Sequence, residues 1–333
     1  MLDHPHSILV INALPFWRSL VLLPAMRALR AAYPRTFLTA AVGRGTCELL
    51  SNAGLADETI DLGVINHPSG VGSAIKRFAQ ITKKARQREF DLVLDFAPGP
   101  ETQLIARFVL NTRTVSPSKL HNIFDKLLGR MGVVPPPGSD FADCANLLGQ
   151  IGVKISDKRL GLEVPAEENV QFEKLLAKRG SRGGEPVVVL HASLTGGSRG
   201  WPVEHFGELA SRLANGLQAR VVAVDQPLGS EFTDAAGSLL PRGAIKIESP
   251  RAYEMLAAVA RASLVITDEP GLAEAALDLG APVLEVAERP RPNEDGLYRS
   301  VSGASRARIP VEDVFSVACE MIQASRSSFL FQR

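Results

Sequence analysis

A chain of 333 residues exceeds what one hydrophobic core ordinarily serves, so two domains of similar size are expected. Hydrophobic residues make up 45% and charged residues 22%, with a formal net charge of +1, which describes a soluble globular protein and gives bulk electrostatics no case for a nucleic-acid partner. Cys47, Cys144 and Cys319 are scattered without CxxC or Cys/His spacing, which argues against structural zinc and for a reducing compartment.

Strand-like apolar runs alternate with helical patterns from the start. The segment Met1–Ser7 carries Asp3 and no basic run, so no signal peptide is expected. Ile8–Leu23 is interrupted by Asn12, Pro15 and Arg18 and is too short to span a bilayer, which makes cytoplasmic residence the default. ILVI at 8–11 reads as a strand, followed by a helix from about Leu20 to Tyr33. FLTAAV at 37–42 leads to a helix through Leu50; LVLDF at 92–96 leads to a helix through Val109 and a short strand near Thr114. Between them, Lys76–Arg88 holds six basic residues and no acidic one, with Phe78, Ile81 and Ala85 at helical spacing. A basic amphipathic helix can dock on anionic membrane or lipopolysaccharide phosphates, but a solvated face over an ordinary core stripe is the simpler reading. Residues 117–165 are less regular and contain Pro135-Pro136-Pro137-Gly138.

A helix near 167–179 leads into Arg179-Gly180-Ser181-Arg182-Gly183-Gly184, the best linker signal in the chain. The rhythm then restarts with VVVLH at 187–191, a helix at 203–214, VVAV at 221–224, and helices at 230–240 and 251–261. LVIT at 264–267, a helix at 271–279, PVLEV at 282–286 and an amphipathic helix from about Val311 to Ser325 complete it. Such alternation predicts an α/β protein of two doubly wound, Rossmann-like domains facing across a cleft: 1–165, 185–310, and a helix at 311–333 packing back toward the first domain. Ligands of open α/β sheets sit outside the carboxyl ends of the strands, so the loops after Ile11, Phe96, His191, Val224 and Thr267 face the expected site.

The stretch from Val187 to Ala210 builds an anion site in miniature. A β-branched run ends at His191, and Ser193, Thr195, Gly196, Gly197, Ser198 and Arg199 then supply amides, hydroxyls and one positive charge before Pro202 opens a helix. It matches neither a Walker loop nor GxGxxG, and an ordinary flexible βα loop remains the bland alternative.

Four segments together resemble the heptosyltransferase family, glycosyltransferase family 9. They are ILVINALPFWRSLVLLPAMRALRAAYP, FDLVLDFAPGPETQLIARFVLNTRTV, HASLTGGSRGWPVEHFGELASRL and GLAEAALDLGAPV. The resemblance implies an inverting GT-B enzyme needing no metal or other cofactor. Its C-terminal domain would hold an ADP-linked heptose, and its N-terminal domain a lipopolysaccharide, glycan or lipid-linked acceptor. The family's HxTT…K…WP segment meets His191, Ser193, Arg199, Trp201 and Pro202, and exchange of Lys for Arg199 keeps phosphate binding. Donor contacts carried over or inferred are Ser193, Thr195, Ser198, Arg199, Glu231, Glu269 and Gly271. Glu269 replaces a family Asp, while Pro270 and Glu274 replace its hydroxyl and His. Asp268 and Glu269 can also serve only to complement a helix dipole.

In the first loop the family's general base falls on Arg18, its preceding Gly on Trp17 and an earlier Arg or Lys on Asn12. A guanidinium stays protonated and cannot take the acceptor's proton. Arg18 is therefore read either as a ligand for a phosphorylated or carboxylated acceptor or as a solvent-facing remnant. Asp95 is the replacement base, with Glu101 beside the same loop on the acceptor side; a structural Asp at a buried strand end is the alternative. The leading expectation is a cytoplasmic transferase, peripheral at the inner membrane. The alternatives are a non-catalytic nucleotide-sugar-binding or regulatory homologue, and a transferase of another donor or acceptor.

Overall fold

The computed structural model describes residues 5–63, 90–97, 113–115, 141–181, 183–193, 200–225, 231–248, 250–289 and 296–331, with the backbone alone described at 113–115, 231 and 325–331. The chain divides into two compact units, Met1–Gly161 and Leu162–Arg333.

In the first unit the order is β1 (Ser7–Asn12), α1 (Phe16–Ser19), α2 (Leu22–Ala32), β2 (Phe37–Val42), α3 (Arg44–Asn52), β3 (Glu58–Asp61), β4 (Leu92–Asp95), β5 (Arg113–Val115) and α4 (Phe141–Gly149). Every residue of β1 is buried, as befits a strand with both faces covered. Among the described residues the sheet runs β3-β2-β1-β4-β5, and all its pairings are parallel. Helix α2 buries Leu22, Leu23, Ala25, Met26 and Leu29, a stripe at helical spacing. The helix expected from about Leu20 to Tyr33 is α2, and a separate turn, α1, precedes it.

The second unit opens with α5 (Ala166–Lys178), then β6 (Val187–His191), α6 (Val203–Gly216), β7 (Arg220–Val224), α7 (Glu231–Ala236) and β8 (Ile245–Ile247). It continues with α8 (Ala252–Ala260), β9 (Leu264–Thr267), α9 (Pro270–Asp278), β10 (Val283–Ala287), β11 (Tyr298–Ser302) and α10 (Val311–Phe331). Its sheet runs β11-β10-β9-β6-β7-β8, again parallel throughout. Each sheet winds outward from a central first strand, then returns to that strand's other side. The switch points where loops diverge are β1/β4 and β6/β9.

The unit boundary falls at Gly161/Leu162, four residues before the expected end of the first domain. The stretch 179–184 is no linker: the Arg220 guanidinium donates to the carbonyls of Arg179 at 3.3 Å and Gly180 at 2.9 Å, inside the second unit. Helix α5 belongs there too, where Glu168 pairs with Arg251 at 2.7 Å and Glu173 with Arg261. Over its described side chains the C-terminal helix α10 packs within the second unit. Val311, Val314, Ala318, Met321 and Ile322 lie in the core shared with α6 and strands β6, β9 and β10 of the second.

Candidate functional site

At the β6/β9 switch point the site is built around a buried carboxylate. Asp268 follows β9 directly and is fully buried. Its Oδ1 accepts the Ser193 N–H at 2.7 Å and its Oδ2 the Trp201 N–H at 3.0 Å, so one side chain holds both ends of the loop that carries the anion-site residues. Burial pushes the Asp268 carboxyl up, while the two amide bonds and the charges of Arg306 and His191 pull it down. The Trp201 indole in turn donates to the Ile309 carbonyl at 3.0 Å, which brings the 3-10 turn Arg306–Arg308 to this edge. Arg306 is half-buried, and its Nε has no hydrogen-bond partner among the described residues.

A second carboxylate repeats the device next door. Asp225, 2% exposed, follows β7 and accepts the N–H groups of Phe232 at 2.8 Å and Thr233 at 3.0 Å, together with the Thr233 hydroxyl. It thereby anchors the start of α7 across residues 226–230, and burial again pushes its carboxyl up. Between the two, His191 Nδ1 lies 2.7 Å from the Val224 carbonyl. A carbonyl only accepts, so Nδ1 carries the proton.

The expected donor residues are thus distributed as follows. Ser193 is held at the loop entrance by Asp268; Thr195, Ser198 and Arg199 lie outside the described residues, as does the side chain of Glu231, the first residue of α7. Glu269 is the N-cap of α9 and its Oε1 accepts the Gly271 N–H at 3.3 Å, with Pro270 at the first helical position. Gly271 enters the site as that N–H donor. The sequence pattern leaves open whether Asp268 does more than complement a helix dipole, and it assigns no role to Asp225 or Arg306. The available signal is an acid at the end of an apolar strand with a proline two or three residues on, shared by Asp95, Asp225 and Asp268.

At the β1/β4 switch point both strands end in side-chain turns. Asn12 Oδ1 accepts the Leu14 N–H at 3.0 Å, and Asp95 Oδ1 accepts the Ala97 N–H at 3.1 Å. Asp95 is 1% exposed and pairs in register with Ile11, so alternation sets it on the opposite face of the sheet from Asn12. Arg18 sits on α1, half-buried, without a hydrogen-bond or salt-bridge partner among the described residues. Glu101 and Lys76–Arg88 lie outside the described residues. Among the described residues, no three His, Cys, Asp or Glu side chains group as metal ligands, and no helix is long and apolar enough to cross a membrane.

No protein-family model and no curated protein matches the chain. Solved structures match it over nearly its whole length. A family 9 glycosyl transferase from Veillonella parvula is 15% identical with a TM-score of 0.68, covering 97% of this chain and 98% of that one. A heptosyltransferase from E. coli, solved with ADP, is 15% identical with a TM-score of 0.62, covering 96% and 99%. A UDP-GlcNAc 2-epimerase from Neisseria meningitidis, bound to UDP-GlcNAc, is 14% identical with a TM-score of 0.52, covering 95% and 91%. The chain therefore has the GT-B fold, with two parallel-sheet α/β units. Transferases and an epimerase share that fold, so activity must be argued from the site.

Proposed function

We propose that this protein is a glycosyltransferase that binds a nucleotide-sugar at the carboxyl edge of its C-terminal sheet and transfers the sugar, with inversion, to an acceptor hydroxyl. The observation that carries this reading is the Asp268 clamp. It binds the Ser193 and Trp201 amides with one buried carboxylate at the topological switch point, where open α/β sheets bind nucleotides. Arg199 and Arg306 meet the diphosphate charge as it grows on the leaving group, and Ser193, Thr195 and Ser198 complete the donor contacts, with Gly271 leaving room for close approach. Glu231 and Glu269 take hydroxyls of the sugar or ribose. The similar structures solved with ADP and UDP-GlcNAc support a nucleotide-sugar as ligand. The resemblance in sequence favours an ADP-linked heptose and a glycan or lipid-linked acceptor at the inner membrane.

The transfer is a single displacement. The acceptor oxygen bonds to the anomeric carbon, the bond to the nucleotide diphosphate breaks, and the acceptor's proton passes to a base, which we assign to Asp95. Asp95→Asn keeps the oxygen that receives the Ala97 N–H and removes the basicity, so it separates chemistry from folding. With ADP-heptose as donor, Asp95→Asn is expected to lower turnover at least a hundredfold while ADP binding measured by calorimetry stays within twofold. Arg199→Ala is expected to weaken ADP binding at least tenfold. ADP binding without transfer to any acceptor would assign the chain to the non-catalytic homologues, and unchanged turnover in Asp95→Asn would remove Asp95 as the base.

A further inference from the structure

Trp201 uses both of its N–H groups, and each reaches a different element. Its backbone N–H donates to Asp268 Oδ2 at 3.0 Å, and its indole Nε1–H donates to the Ile309 carbonyl at 3.0 Å. Trp201 is 2% exposed, and its ring meets those of His205 and Phe206 edge-on, with centroids 5.4 and 4.7 Å apart. The direction of the indole N–H is therefore set by the same packing that starts α6.

The far end of that bond leads to Arg306. The Ile309 N–H returns to the Arg306 carbonyl at 3.0 Å, and the Arg308 N–H to the Ser305 carbonyl at 3.1 Å, which closes the 3-10 turn Arg306–Arg308. So short a piece of 3-10 helix holds itself weakly and takes its place from outside anchors. Before the turn, the Gly303 N–H donates to the Ala287 carbonyl of β10 at 3.4 Å; after it, Trp201 takes Ile309. The two anchors are packed together, since a Cβ on Gly303 would lie 3.2 Å from Ile309 Cγ1. Arg306 is one hydrogen bond away from the residue that Trp201 grips.

Arg306 is both unsatisfied and reachable. Its Nε is buried without a hydrogen-bond partner among the described residues, while the residue as a whole is only half-buried. Other arginines of the second unit are engaged: Arg220 with Glu185 at 3.1 Å, Arg251 with Glu168 at 2.7 Å and Arg299 with Glu320 at 2.7 Å. Asp268, the carboxylate that feels the charge of Arg306, already has an amide on each oxygen. A guanidinium has five donors and no acceptor, so an anion from solution is its fitting partner.

We infer that Trp201 is the positioning residue for Arg306: through the Ile309 carbonyl its indole N–H sets the turn that presents the guanidinium, and its backbone N–H sets the end of the loop after β6, so that one residue holds arginine and loop in register for the same diphosphate. The inference rests on the reading that this edge binds a nucleotide-sugar, and it adds the residue through which Arg306 is placed.

The full-length protein and its Trp201→Phe, Arg306→Gln and doubly substituted forms are titrated with ADP and with adenosine, which lacks the diphosphate. Trp201→Phe keeps an aromatic ring and removes the indole N–H. It should weaken ADP binding at least fivefold and adenosine binding less than twofold, and Arg306→Gln should weaken ADP binding at least tenfold. In the Arg306→Gln background Trp201→Phe should cost less than a further twofold, because its effect passes through the arginine. A loss of ADP binding that is undiminished in that background, or an equal loss for adenosine, makes Trp201 a purely structural residue and overturns the inference. If Trp201→Phe does not fold, the wild-type protein decides. ADP, and not adenosine, should slow hydrogen exchange of the Trp201 Nε1–H at least fivefold, and an unchanged rate with ADP bound overturns the inference. Wild type that binds ADP while these effects are missing refutes the inference alone; wild type that binds neither ADP nor adenosine refutes the nucleotide-sugar reading and the inference together.

Discussion

At the scale of single residues the second unit depends on two buried aspartates that each span a gap. Asp268→Ala removes the acceptor of the Trp201 N–H, and Trp201 is only 2% exposed, so water cannot substitute. The expected cost is about 1–3 kcal/mol, read as a lower urea midpoint, together with weaker ADP binding as the loop between Ser193 and Trp201 loses both anchors. The same acids set a pH dependence. Burial raises the folded-state pKa of Asp225 and of Asp268 above the unfolded value of about 3.9. Between that value and the raised one, the folded state binds more protons than the unfolded state, so this contribution makes stability fall as pH rises. Urea denaturation from pH 4 to 7 should therefore show the stability difference between Asp225→Asn and wild type moving in favour of the variant with rising pH; a movement in the opposite sense would refute the assignment.

At the scale of elements, close packing outweighs propensity. Gly207 lies inside α6, where alanine is ordinarily better by about 1 kcal/mol. A Cβ there would sit 2.5 Å from Leu239 Cβ and 3.1 Å from the Leu239 carbonyl oxygen. Overpacking of that kind costs about 1–3 kcal/mol, so Gly207→Ala is expected to be destabilising by up to about 2 kcal/mol in thermal or urea unfolding. In the sheet, Glu285 is 3% exposed and accepts the Tyr298 hydroxyl at 2.8 Å. Tyr298→Phe removes a donor to a buried carboxylate, and a loss of about 1.5–3 kcal/mol is expected from the same measurement. The strands that the sequence pattern missed are β3, β8 and β11. All three stand at sheet edges and carry exposed or half-buried positions, as in ETID and IKI, which break the continuous apolar run by which β1, β6 and β9 are readable. The α1 turn was hidden for another reason: Phe16 and Trp17 supply apolar periodicity continuous with α2, and only the break at Leu20 and Val21 separates them.

At the scale of the whole molecule the chain passes from the first unit to the second at Gly161. Gly161 has φ +64°. On one side, Arg27 of α2 donates to the carbonyls of Leu160 and Arg159; on the other, the Leu162 N–H donates to Asp278 of α9 at 2.7 Å. Each unit grips its own end of the chain. Gly161→Ala forces a side chain into the left-handed region, which costs about 1–2 kcal/mol, and sets a Cβ 2.9 Å from Arg27 Nη1. Faster limited proteolysis within 157–162 is the expected outcome, with little change in the melting of either core.

The sequence by itself determined that two Rossmann-like units follow one another, because buried parallel strands must be apolar throughout and their helices amphipathic. It also placed the candidate loops, since strand ends are visible as the points where apolar runs meet Asn12, Asp95, His191, Asp225 and Asp268. Only the tertiary structure decided what those polar residues do. Whether an acid at a strand end is a base, a cap or a clamp depends on which distant amides reach it: Ser193 and Trp201 are 75 and 67 positions from Asp268. In the same way, that Arg306 Nε lacks a partner among the described residues is a property of packing, legible only once every neighbour has been placed.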